Sequence, residues 1–194
     1  MQSGTKVERI EVKKCFVANE KMKKRLQDKS EIAFQTILAE IEKEVLVMSE
    51  SELDGMIAWL PRLSKYNELV WYFEECSIND LGVWYPAGGL PEIWCIGSVR
   101  ETAHCILNGP KEIARISKYG RDKRAVNNLP AIMKVATIIL ASRLFAPIVV
   151  PGGTWRPSPP CRQMKGDIDD GCLRAIAFAL KGYEKFNAYV GKTS

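Results

Sequence analysis

The chain has 194 residues, 46% apolar and 26% charged, proportions that exclude a disordered polyelectrolyte and suit one globular domain over 1–194. No stretch supplies the roughly 20 uninterrupted apolar residues of a membrane span, because the best candidate, Ile132 to Val150, contains Lys134 and Arg143. Lys6, Glu8 and Arg9 fall where a secretory signal would be apolar, so no membrane partner is expected and the protein reads as intracellular, cytoplasmic or nuclear.

The net charge of +5 conceals a strong segregation. Residues 1–29 hold nine Lys/Arg against four Asp/Glu, residues 30–80 three against eleven, and residues 81–194 sixteen against eight. Such a distribution offers either a basic face for a polyanion or complementary faces through which copies of the chain meet as a homo-oligomer.

In chain order, residues 1–18 place Val7, Ile10 and Val12 among charges and end on Cys15-Phe16-Val17, the pattern of an extended arm or edge strand. From Asn19 the text turns helical, first in the basic run Lys21-Met-Lys-Lys-Arg25 and then with Phe34, Ile37, Leu38, Ile41, Val45 and Met48 on one stripe. Ser51 and Asp54 outline a capping box for a short helix to Leu60. Pro61 interrupts it, and a third helix is expected from Ser64 to about Cys76 on Leu69, Val70 and Phe73.

Val83-Trp-Tyr85 and Ile93-Trp-Cys-Ile96 then read as a β hairpin across Pro86-Ala-Gly-Gly89. Ser98 and Glu101 form a full capping box opening a helix that Asn108-Gly109 closes, and Pro110 starts another that Tyr119-Gly120 ends. Residues 130–145 are apolar on nearly every side, which predicts a central helix with Pro130 in its first turn. Pro147, Pro151, Gly152, Gly153, Pro157, Pro159 and Pro160 make 146–166 a long surface loop. A last helix is expected from Gly171 to Val190, with Asp167, Asp169 and Asp170 at its positive end. The predicted fold is therefore mainly α, or α+β with a minor hairpin: an irregular helical bundle around 130–145.

The chemistry-bearing residues exclude more than they assign. The single histidine, His104, lies in the apolar run Thr-Ala-His-Cys-Ile and is expected in the core. Six cysteines without a CxxC pair read as buried free thiols. Asp167-Ile-Asp-Asp170 lacks the glycine and terminal glutamate of a calcium loop, and no phosphate-cradling glycine motif is present. No catalytic set, metal site or cofactor is expected.

The remaining lead is basic. Arg115, Lys118, Arg121, Lys123 and Arg124 surround Tyr119 near a helix end, while Trp155 and Arg156, with Arg162 and Lys165 behind them, could add a stacking platform and a mobile clamp. Lys21, Lys23, Lys24 and Arg25 read as a second phosphate contact, a localisation signal or simply charged helix surface. The residues thus point to a non-enzymatic nucleic-acid-binding protein, for RNA or single strands. A protein-interaction or self-assembly module using the acidic and basic surfaces is the alternative, and an enzyme without a recognisable motif comes third.

Overall fold

The run Val70-Trp-Tyr-Phe73 concentrates β-branched and aromatic side chains, which prefer a pleated, half-buried surface to a helix. In the computed structural model, which describes residues 4–25, 31–109 and 124–193, the chain leaves its helical path there. Before that point come β1 (Thr5–Val7), α1 (Arg9–Arg25), α2 (Glu31–Leu46), α3 (Glu50–Met56) and α4 (Leu60–Glu68). After it come β2 (Val70–Ser77), β3 (Leu81–Gly82), α5 (Val99–Asn108), α6 (Arg124–Ala141), β4 (Ile148–Pro151), β5 (Gly166–Asp170), α7 (Cys172–Leu180) and β6 (Lys185–Lys192).

The strands form one six-stranded mixed sheet in the order β1-β2-β6-β4-β5-β3. The fold is thus mixed α/β, and the minor hairpin on a helical bundle is replaced by a sheet that shares the core with the helices. Neighbours pair antiparallel in β1/β2, β2/β6 and β4/β5, and parallel in β6/β4 and β5/β3. Ile148, Val149, Val150, Ile168 and Ala188 are buried in the same cluster as Ile132, Val135 and Ile139 of α6.

Two of the expected helices contain strands. The helix expected over 64–76 ends at Glu68, and β2 pairs with β6 from Val70 opposite Lys192 to Ser77 opposite Lys185. The helix expected to run to Val190 stops at Leu180 in a Schellman motif. There Gly182 adopts φ 87°, its amide donates to Ala179 O at 3.0 Å, and that of Tyr183 to Phe178 O at 3.0 Å. The Phe178 and Tyr183 rings close the turn edge to face at 6.3 Å. Opposite Trp71 stands Gly191, where a Cβ would lie 2.6 Å from Leu69 and 3.0 Å from the indole. A glycine therefore lets the ring lie against β6.

Other expectations shift. The edge strand covers only Thr5–Val7, at the rim of the sheet, and α1 follows because Val12, Cys15, Phe16, Val17 and Met22 bury one face. Lys13 is buried within it and reaches Glu50 at 2.7 Å and Asp54 at 2.6 Å, tying α1 to α3. The capping box of α3 is Ser49 with Glu52, two residues before the expected pair. No hairpin forms over 83–96, where Gly88 (φ 54°) and Gly89 (φ 81°) turn the chain toward a 3₁₀ turn at Glu92–Trp94. The helix through 130–145 begins at Arg124, which puts Pro130 inside it, and it packs on α7. The 146–166 segment holds β4, so its irregular part is shorter than expected.

The capping box of α5 forms as the sequence suggests. Ser98 Oγ accepts from the Glu101 amide at 3.3 Å, and Glu101 accepts from the Ser98 amide at 2.7 Å. Arg162 also pairs with Glu101, and these contacts bring its carboxyl down to about 2. Ser98→Ala is expected to destabilise the protein by about 1 kcal/mol, read as a lowered urea midpoint with an unchanged slope.

All six cysteines are free. Burial pushes the thiols of Cys15, Cys76 and Cys172 up to about 12. His104 is a correction: it lies exposed on α5, with Asn108 Nδ2 2.8 Å from its Nε2. Among the described residues no helix is long and apolar enough to cross a membrane.

Candidate functional site: a cleft where β5 meets α7

The sequence Gly166-Asp-Ile-Asp-Asp170 makes β5, all five residues of which are buried. Neighbouring helices bring cations to Asp169 and Asp170, while Asp167 accepts the Trp155 amide at 3.1 Å, so all three belong to a buried strand and do not cap a long terminal helix. Asp170 accepts Lys23 Nζ of α1 at 2.6 Å and Arg174 Nη2 of α7 at 2.7 Å. Burial alone would raise this carboxyl, and the two cations overturn that and hold it well below the usual carboxylate range. Asp169 accepts Arg62 Nε of α4 at 2.9 Å and the Tyr66 hydroxyl at 2.5 Å.

Between strand and helix stands Gly171 at φ 97°, backbone that glycine adopts without penalty. A Cβ there would also lie 2.5 Å from Arg174 Nη2. The tight turn lets Arg174 fold back one helical turn onto Asp170. No side chain caps the first turn of α7, and by helical geometry its leading amides have no intrahelical acceptor.

These groups surround a cleft of about 360 Å³. Its walls carry the cations Lys23, Arg62, Arg124 and Arg174, the carboxylates Glu20, Asp169 and Asp170, and the apolar or neutral surfaces of Trp84, Pro86, Asn128, Ile132 and Leu173. Among the described residues of the lining, four cations stand against three carboxylates. Arg174 is 2% exposed and its Nε has no partner among the described residues, which is a costly state for a buried donor.

An aromatic wall adjoins the cleft. The Arg62 guanidinium lies over the rings of Phe16 (4.8 Å), Trp59 (5.2 Å) and Trp84 (5.9 Å). Trp59 in turn meets Trp84 at 5.8 Å and Trp155 at 4.6 Å, and is 39% exposed. Arg62 and Trp84 are thus common to cleft and wall.

The sequence-derived candidates distribute unevenly over this geometry. Arg115, Lys118, Tyr119, Arg121 and Lys123 lie outside the described residues. Arg124 opens α6 and lines the cleft. Trp155 joins the tryptophan cluster, half-buried. Arg156 is a correction: instead of a mobile clamp on the surface it is 5% exposed. It donates to the carbonyls of Arg162 (3.1 Å), Cys95 (2.9 Å) and Gly97 (3.0 Å). Its clamp closes on its own chain.

Arg62, Arg174, Gly171 and Trp84 were missed as site residues, since each lies far in sequence from the 115–124 cluster and only the fold gathers them. The acidic 30–80 segment is matched largely by its own chain: Glu44 with Lys21 and Arg25, Glu50 with Arg9 and Lys13, Glu74 with Lys192, Glu75 with Lys185, and Asp80 with Lys165. No protein-family model, curated protein or solved structure matches this chain.

Proposed function

We propose that this protein binds single-stranded nucleic acid, with a phosphate entering the cleft where β5 meets α7. The observation that carries this reading is the convergence of Lys23, Arg62, Arg124 and Arg174 on a cleft that also receives the uncapped first turn of a helix. A helix N-terminus offers outward-pointing amides and the positive end of the helix dipole to an anion. Arg174 Nε adds a donor with no other partner. Trp84 and Trp59 supply aromatic surface beside it, the combination by which strands are held without regard to sequence.

Self-assembly through complementary charge has less to draw on, because most carboxylates of the 30–80 segment are occupied within the chain. The test is fluorescence anisotropy with a labelled single-stranded 12-mer. Affinity is expected to fall steeply as salt rises, because phosphate contacts release counterions. Lys23→Glu combined with Arg124→Glu is expected to weaken binding roughly tenfold or more, to about the same extent for every sequence tried. Binding unchanged by that double reversal removes the cleft from the function.

A further inference from the structure

Resting on that reading of the cleft, we infer that it receives the phosphorylated end of a strand, a phosphomonoester, in preference to an internal phosphodiester. The first reason is shape. At about 360 Å³ the cleft lies near the lower end of small-ligand sites, which span about 300–1,000 Å³, so it has room for one nucleotide unit. One part of its wall is made by Gly171 and Arg174, both buried, with the fully buried Ala175 and Ile176 next along the helix. A diester must continue on both sides of its phosphorus, and where it meets this buried wall one of its two arms is turned back. A monoester continues on one side only.

The second reason is charge. Among the described lining residues four cations outnumber Glu20, Asp169 and Asp170, so a second negative charge on the ligand gains over a single one. A monoester carries about −1.5 to −2 at neutral pH and three terminal oxygens. One oxygen can accept from Arg174 Nε while the others meet the leading amides of α7 and the Lys23 ammonium. That satisfies Arg174 Nε, which is buried without a partner among the described residues. The nucleoside then lies toward Trp84 and Arg62, which join the cleft to the tryptophan wall.

The experiment compares one single-stranded octamer in three versions, with a 5′-phosphate, a 3′-phosphate or hydroxyls at both ends, alongside the matching nucleoside monophosphates. Binding to the full chain is read by intrinsic tryptophan fluorescence. One phosphorylated version is expected to bind about tenfold or more tightly than the hydroxyl-ended strand, since the added charge meets a preformed donor set. Lys23→Gln alters a half-exposed side chain on α1 and is expected to shrink that ratio severalfold while the chain stays folded. Arg174→Leu should abolish the ratio altogether. A monophosphate that binds as tightly as the phosphorylated strand also supports the inference, with the rest of the strand contributing nothing. Equal binding of all three octamers overturns the inference and leaves the phosphate reading standing. If no octamer or monophosphate binds, the reading itself falls and the inference with it.

Discussion

Arg156→Met is expected to cost about 4 kcal/mol of folding stability. The guanidinium is the shared donor for the carbonyls of Cys95, Gly97 and Arg162, and methionine fills similar space while donating to none of them. Each buried acceptor left unmade costs roughly 1–3 kcal/mol. Partial relaxation and entry of water keep the sum below simple addition. The pocket that holds the guanidinium is shaped by Gly82, where a Cβ would fall 1.9 Å from Arg156 Nη1. Gly82→Ala should therefore expel the same side chain and reproduce much of the loss. Urea unfolding measures both, and limited proteolysis between residues 152 and 165 should accelerate in both variants. A stability change below about 1 kcal/mol for Arg156→Met would show that the three carbonyls find other donors.

Asp170→Asn is the second. The substitution keeps the shape but removes the charge that Lys23 and Arg174 share, leaving a guanidinium that is 2% exposed without its counter-ion. Breaking one side of a buried pair in this way costs about 3–5 kcal/mol. The same carboxylate fixes a pH dependence. Its folded pKa lies below the ordinary value because of the two cations, while in the unfolded chain it titrates near about 3.9. The unfolded state thus binds the proton first as pH falls. The stabilisation is whole above about pH 4 and drains away as the solution is acidified toward the folded pKa. Urea midpoints at pH 6 and pH 3 should fall steeply in the natural chain and less steeply in Asp170→Asn. Parallel slopes would show that Asp170 is not a source of the acid sensitivity.

How far the sequence could be read depended on the range over which each signal acts. The Ser98 and Glu101 cap is a four-residue device and was legible, as was the apolar stripe of α2 and the buried helix now seen from Arg124 to Ala141. The Schellman stop at Gly182 is equally local but is hidden in the sequence, because Tyr183-Glu-Lys-Phe keeps helical spacing with Ala179 and Leu180. Only the alternation of Phe186, Ala188 and Val190 marks β6. The strand β5 was hidden for a different reason: Gly-Asp-Ile-Asp-Asp has the hydropathy of a turn, and its burial is sustained by Lys23, Arg62 and Arg174, which arrive from three helices. The cleft depends on the same long-range convergence. Its one foreseeable cue was a glycine between a carboxylate run and an apolar helical stripe at 167–176.

The position of β6 has a consequence for the order of assembly. It is the last strand in the chain, yet it lies between β2 and β4, with β2 about 110 residues upstream of its partners. During synthesis β2 and β4 must therefore wait with bare hydrogen-bonding edges until residues 185–192 leave the ribosome. Closing so long a loop is slow, and each waiting edge can pair with another chain. Nascent chains stalled before Lys185 should consequently be the species that chaperones hold, and supplying residues 183–192 as a free peptide should rescue them.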